Sequence, residues 1–263
     1  GAGNTFFILN LENSFLTRWK RMSEHEKGVL AQQICHLKGL VGTDGFLTVE
    51  NKGHDLFKWD FFNADGSRAE MCGNAARCVG KYVFERIAKE LEKISIKTEL
   101  GLIEVKKGKT NLYSVKMGPI GSFRKLDLIL SDGQKIRGVF VDTGVPHFVT
   151  EFVLSKENCR EIRWNKELFP KGANVTMILD SKKNKLSAVS FERGVENYTA
   201  SCGTGAVAAA FWMREVEKNE NKFEVQMTGG SLSVEWLPQE ERPTLTGSAE
   251  IHFDVVLDLE VIL

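Results

Sequence analysis

From about residue 12 to residue 38 the apolar positions recur at helical spacing. Leu30, Ile34 and Leu37 fall on one side and Glu24, Glu26 and Lys27 on the other, which predicts an amphipathic helical region. Beyond Gly39 the period shortens to two. Phe46-Leu47-Thr48-Val49, Phe57-Lys58-Trp59-Asp60-Phe61, Lys93 to Thr98, Leu102 to Val105 and Tyr113 to Met117 alternate as half-buried strands do. Gly118-Pro119 breaks the run and predicts the crossing into a second half, where Gly138 to Asp142, Gly144 to Val149, Asn174 to Ile178 and Leu186 to Phe191 continue the strand pattern. Two segments stand out as helices among strands. After Cys72, the residues Ala76, Val79, Val83 and Ile87 keep a helical period, and after Cys202 the run from Ala206 to Met213 is apolar all round, the pattern of a buried helix.

These two helices open alike. Met71-Cys72-Gly73-Asn74 and Ser201-Cys202-Gly203-Thr204 each place a thiol just before a helix start, 130 residues apart. Strand pairs follow both, and Thr98 and Thr228 keep the same offset of 130. A duplicated unit accounts for this, each copy being one helix wrapped by strands. The expected architecture is therefore α+β, built of two like units whose thiol-bearing helix ends would face each other. The expected boundaries are 1–118, carrying Cys72 and joined by a last strand at about 250–263, and 119–249, carrying Cys202.

Composition removes several classes of function. Lys plus Arg and Asp plus Glu both number 35 in 263 residues, so no basic field points to nucleic acid. No apolar run approaches the roughly 18 residues of a membrane span, and no charged-then-apolar leader opens the chain. Five cysteines, an odd number without framework spacing, suit a reduced, cytoplasmic protein, and neither their spacing nor that of the histidines suggests zinc.

At a helix start the first N–H groups lack intrahelical partners and carry the positive end of the helix dipole, so they bind carboxylates and favour thiolates. An amino acid whose α-carboxylate lay between two such ends would have one thiol on each side of its α-carbon. One cysteine would remove the α-proton and the other return one to the opposite face, the donors stabilising the carbanion's charge. For Cys35, Cys78 and Cys159 the expectation is only that of small buried hydrophobes. His25, His36, His54 and His252 have no supporting context, and Trp212, Trp236, Phe211 and Phe223 read as core.

Gly1-Ala2-Gly3-Asn4-Thr5-Phe6, Gly42-Thr43-Asp44-Gly45, Asn63-Ala64-Asp65-Gly66-Ser67, Glu70 to Cys78, Gly144-Val145-Pro146-His147, Gly172-Ala173-Asn174-Val175, Glu192-Arg193-Gly194, Cys202 to Ala206 and Leu245 to Ala249 resemble, in order, the motifs of the diaminopimelate epimerase family. The resemblance implies two pseudo-symmetric domains, each a strand-rich, barrel-like unit around a central helix, with the active site in the cleft between them. The activity implied is that of a two-cysteine epimerase that uses no cofactor and no metal, takes a small amino-acid substrate such as diaminopimelate, and forms a homodimer. It implies that Cys72 and Cys202 are the acid/base pair with His147 and Glu192 in support. Gly73, Asn74, Gly203 and Thr204 would clasp the reacting carboxylate, and Asn4, Asn63 and Asn174 would be substrate-binding amides. Arg193 would take the distal carboxylate, for which a bidentate fork is suited, and Glu192 would also reach the distal ammonium.

Three positions depart from the family pattern: Val145 replaces Asn, Gly45 replaces Gln, and the segment Val195 to Ser201 is one residue longer than expected. Other readings of the same residues are a related amino-acid racemase of broader range, a thiol redox switch, and an inactive binding protein on the same scaffold.

Overall fold

In the computed structural model of the protein, residues 1–37, 42–69, 71–99, 101–217 and 220–256 are described. The chain forms two compact units. The first holds Gly1, residues 3–115 and the described residues from Ser248 to Val256; the second holds Ala2 and Lys116–Gly247.

The first unit runs β1 (Phe6–Asn10), α1 (Asn13–Arg21), α2 (Glu24–Cys35), β2 (Gly45–Gly53), β3 (Leu56–Asn63), α3 (Gly73–Tyr82), β4 (Lys93–Thr98), β5 (Gly101–Lys107) and β6 (Leu112–Lys116). The amphipathic helical region expected at 12–38 holds two helices within its described residues. Ser23 stops the first and caps the second in a reciprocal box: Glu26 N–H donates to Ser23 Oγ at 3.3 Å and Ser23 N–H to Glu26 Oε2 at 2.7 Å. β1 lies parallel to β2, β2 antiparallel to β3, β3 parallel to β4, and β4, β5 and β6 are antiparallel in turn. Each parallel join needs a crossover, supplied by α1 and α2 in the first case and α3 in the second.

The second unit adds a hairpin of β7 (Phe123–Ile129) and β8 (Lys135–Asp142) before β9 (Pro146–Thr150) and α4 (Lys156–Trp164). It continues with β10 (Asn174–Lys182), β11 (Lys185–Glu192), β12 (Asn197–Thr199), α5 (Gly203–Glu217), β13 (Lys222–Met227), β14 (Gly230–Glu235) and β15 (Thr244–Ser248). From β9 onward the pairing senses repeat those of the first unit. β9 is parallel to β10, β10 antiparallel to β11, β11 parallel to β13, and β13, β14 and β15 are antiparallel in turn. The repeat legible in the sequence is thus a repeat of topology.

α5 packs against β8, β9, β10, β11, β13 and β14 of its own unit, which is why its sequence is apolar on every side. Ala206, Ala208, Ala209 and Ala210 are fully buried, so small side chains let the strands close on it; an added methylene there would cost about 1–3 kcal/mol by overpacking. α3 packs on β1 and β5 in the same manner, with Ala75, Ala76 and Val79 buried. Its expected apolar face continues through Val83, but Val83–Ile87 is a π-helical turn and Ile87 is only half-buried.

The short helix α4, whose nine residues bury only Cys159, Ile162 and Arg163, has too little apolar pattern to be read from sequence. It covers a satellite core with Phe148, Phe169 and Phe191, as α1 and α2 cover one with Trp19, Phe46 and Phe62. Of the expected core aromatics, Phe223 and Trp236 are buried while Phe211 and Trp212 are half-buried. Residues 250–256 carry no strand; Gly39, Glu70 and residues 257–263 lie outside the described residues. Among the described residues, no helix is long and apolar enough to cross a membrane.

Candidate active site

Both thiols stand where the sequence puts them. Cys72 is the N-cap of α3, and its carbonyl accepts the Ala76 N–H at 3.0 Å; the Cys202 carbonyl accepts the Ala206 N–H at 2.9 Å at the start of α5. In each unit the cysteine carbonyl therefore closes the first helical turn, and in the second unit the Cys202 sulfur also takes one of the N–H groups that turn leaves over, that of Gly205 at 3.3 Å. None of the five cysteines is in a disulfide. Burial pushes the thiols of Cys35 and Cys159 up, the latter to about 11, as befits inert core residues.

In the first unit, Gly73 and Asn74 are buried in the opening turn of α3. Asn74 Nδ2 donates to Asn4 Oδ1, and Asn74 Oδ1 accepts from Arg77 Nη2 at 2.6 Å, so two of the expected binding residues are joined. Asn63, the exposed last residue of β3, donates through its Nδ2 to Ser67 Oγ at 3.0 Å in the turn that follows. That turn is held against α2 by glycine: Gly66 has φ +84°, and a Cβ there would come within 2.5 Å of the Gly28 carbonyl. Gly45 is a steric requirement of this chain. A side chain there would meet the Phe62 carbonyl at 2.7 Å and the Phe61 ring at 2.9 Å, so a glutamine has no room.

In the second unit, His147 on β9 is wholly buried. Its Nδ1 is 2.9 Å from Thr176 Oγ1, its Nε2 is 3.0 Å from Thr204 Oγ1 and 3.3 Å from Asn174 Nδ2, and Thr176 Oγ1 is 3.0 Å from Ser190 Oγ. The parallel register of β9 and β10 creates this cluster by setting Asn174 opposite His147. Asn174 Oδ1 accepts the Arg193 N–H at 2.7 Å, so its amide nitrogen must face the imidazole. Nε2 is then the acceptor, and Nδ1–H donates to Thr176. Burial, with the nearby Arg193 charge, lowers the His147 pKa from 6.5 to about 3, so the ring is neutral. Cys202 Sγ lies 3.4 Å from Thr204 Oγ1 and accepts the Gly205 N–H at 3.3 Å. A hydrogen-bonded line thus runs from the thiol through Thr204 to His147, Thr176 and Ser190.

Glu192 ends β11 and accepts from the Thr199 hydroxyl; Arg193 is exposed, and its Nη1 donates to the Lys171 carbonyl at 3.0 Å. Val145, half-buried in the turn before His147, accepts a hydrogen bond from Thr143 Oγ1 through its carbonyl at 3.2 Å. In the longer segment 195–201, Glu196 has φ +55° and pairs with the buried Arg163 at 3.0 Å, after which β12 folds back on β11. Sequence reasoning missed Thr176, Ser190 and Arg163, because isolated hydroxyls and a helix-end arginine carry no pattern of their own.

A duplicated, strand-wrapped helix with a thiol at each helix start places the chain among the isomerases built on this α+β fold. A family profile described as diaminopimelate epimerase matches residues 1–121 and 139–252, and the chain belongs to that family. It is 31% identical to the diaminopimelate epimerase of Aquifex aeolicus over 100% of this chain and 97% of that one. With the Archaeoglobus fulgidus diaminopimelate epimerase the identity is 34%, over 98% and 94%. Among solved structures, a putative phenazine biosynthesis PhzC/PhzF protein from Clostridium difficile matches with a TM-score of 0.70 at 15% identity, covering 97% of this chain and 93% of the other. A hydroxyproline epimerase from Agrobacterium vitis matches with a TM-score of 0.61 at 14% identity, covering 88% and 80%; these likenesses concern the fold alone.

Proposed function

We propose that the protein inverts the α-carbon of diaminopimelate by proton transfer between Cys72 and Cys202, without pyridoxal phosphate or metal. The observation that carries this reading is the matched placement of the two thiols, each closing the first turn of the helix at the centre of its own unit. In the reaction, one cysteine sulfur takes the α-proton as the C–H bond breaks, and the electron pair is delocalised toward the carboxylate. The other sulfur gives up its proton to the opposite face of the carbon. The N–H groups at Gly73, Asn74, Gly203 and Thr204 stabilise charge that grows on the carboxylate oxygens. His147 and Thr204 orient the Cys202 thiol. Asn4, Asn63, Asn174, Glu192 and Arg193 bind the substrate, the arginine at its distal carboxylate. On this reading the protein is a cytoplasmic homodimer serving lysine and peptidoglycan synthesis.

A second reading, epimerisation of other amino acids, is favoured by Val145 and Gly45, which replace two side-chain amides. The test is incubation with diaminopimelate in deuterated water. Loss of the α-proton NMR signal with formation of the other isomer is expected. Exchange with proline or glutamate but not diaminopimelate would establish the second reading, and exchange with no amino acid would overturn both.

A further inference from the structure

Arg77 is fully buried, and among the described residues no carboxylate pairs with it. Its Nη2 donates to Asn74 Oδ1 at 2.6 Å, its Nη1 reaches back to the Gly73 carbonyl at 3.4 Å, and among the described residues its Nε has no hydrogen-bond partner. A buried cation without a counter-charge is costly, and a fold keeps one where something else supplies the negative charge. The guanidinium lies beneath the opening turn of α3, next to the residue that follows Cys72.

A guanidinium has only donors, so it dictates which way its partner amide faces. Asn74 must turn its oxygen to Arg77, which leaves its NH2 for Asn4. Asn4 must in turn present Oδ1 to Asn74. The polarity of the line ends there, since Asn4 Nδ2 makes no hydrogen bond among the described residues and remains a donor for an anion.

We propose that Arg77 is a positioning residue for the reaction: it fixes the polarity of the Asn74 and Asn4 amides so that this helix start offers donors to a carboxylate, and it sets an uncompensated positive charge beneath Cys72. Burial pulls the guanidinium pKa down while the neighbouring thiols of Cys78 and Cys72 pull it up, which places those sulfurs within its field. The negative charge that completes the site is the thiolate, the substrate carboxylate, or both in succession.

The inference rests on the proposed function for its substrate, so the test has an arm that needs none. In that arm, the rate of Cys72 alkylation by iodoacetamide is followed against pH by peptide mass spectrometry in the wild type, Arg77→Lys and Arg77→Met. Arg77→Met should slow alkylation at neutral pH by about tenfold and move its midpoint upward, while Arg77→Lys, which keeps the charge, should stay near the wild type. Equal profiles for all three would overturn the electrostatic part.

In the second arm, diaminopimelate kinetics are compared for the wild type and Asn74→Asp, which keeps a partner for Arg77 but forces the Asn4 amide to turn its donor inward. KM should rise by about tenfold to a hundredfold while the thermal unfolding temperature is unchanged or higher. Wild-type KM in Asn74→Asp would overturn the amide line. Should the wild type prove inactive on diaminopimelate while Arg77→Met still slows alkylation, the substrate assignment falls and the electrostatic role of Arg77 stands.

Discussion

Gly205 occupies the third position of α5, where a helix would ordinarily gain up to about 1 kcal/mol from replacing glycine by alanine. Here the replacement should destabilise. A Cβ at 205 would lie 2.3 Å from Ser190 Oγ, 3.1 Å from Thr176 Oγ1 and 3.2 Å from Cys202 Cβ. Ser190 is fully buried and its hydroxyl is tied to Thr176 at 3.0 Å, so it cannot swing away without breaking that bond. Relief requires a lost hydrogen bond of about 1 kcal/mol together with a shift of the helix start, and overpacking of this kind costs about 1–3 kcal/mol. The clash therefore outweighs the propensity gain, and we expect Gly205→Ala to lose about 1–3 kcal/mol in urea unfolding. The same shift carries the Gly205 N–H away from Cys202 Sγ, now 3.3 Å apart, and should lower kcat/KM by about tenfold to a hundredfold. Ser190→Ala removes the obstructing oxygen at a cost of about 1 kcal/mol, so the double variant should be more stable than the sum of the single effects predicts, by about 1–2 kcal/mol. A Gly205→Ala protein as stable as the wild type, or a double variant that is simply additive, would refute this account of how the helix start is seated.

Cys72→Ala and Cys202→Ala should each lower the epimerisation rate at least about a thousandfold, on the order of 4 kcal/mol, while Cys35→Ala, in the satellite core, should retain activity; near-normal inversion in either active-site variant would end the two-base scheme. Because His147 is held at about 3 against an ordinary 6.5, the unfolded chain takes up a proton in that interval and the folded one does not. Stability should therefore fall as pH drops from about 6.5 toward 3, by at most about 1.4 kcal/mol per pH unit, and His147→Gln should show a shallower decline in urea midpoints between neutral and acid pH. Arg193→Ala should raise KM for diaminopimelate by about tenfold or more, with little change in unfolding because the guanidinium is exposed. Val145→Asn should raise discrimination for diaminopimelate over glutamate, and an unchanged ratio of kcat/KM values would show that the far end of the substrate is read elsewhere.

The features legible in the sequence were those written in local patterns. The offset of 130 residues between Cys72 and Cys202 announced the duplication because a helix start is specified by a few adjacent residues, and the alternation in Lys93 to Thr98 or Phe223 to Thr228 announced strands for the same reason. What surrounds the thiols depends instead on register. Thr176 meets His147 because β10 runs parallel to β9, and Ser190 meets Thr176 because β11 is antiparallel to β10 at that pair. Neither pairing leaves a mark in the local sequence. Arg77 was visible as part of a motif, yet its burial was not, since an arginine between Ala76 and Val79 reads as the polar edge of an amphipathic helix until the strands around α3 enclose it. The division of the first helical region at Ser23 was signalled by its capping box, Ser23 with Glu26, but the helical spacing on both sides obscured it.

The two copies keep the helix start and differ in what supports it. Backbone N–H groups come with the helix itself, so duplication preserves them as long as a small residue follows the cysteine. The supporting side chains come from neighbouring elements and can diverge. In the first unit the support is a permanent charge, the Arg77 guanidinium; in the second it is a neutral line of Thr204, His147, Thr176 and Ser190. Both are insensitive to pH across the neutral range, the first because a guanidinium stays protonated and the second because His147 titrates near 3. If the proposed chemistry holds, a change of rate between pH 6 and 9 must therefore arise from the two thiols or from the substrate's own ammonium groups, and replacing His147 should change the height of the pH–rate profile without moving its limbs. A limb that moved with His147→Gln would place the imidazole among the titrating groups and contradict its burial as the source of its low pKa.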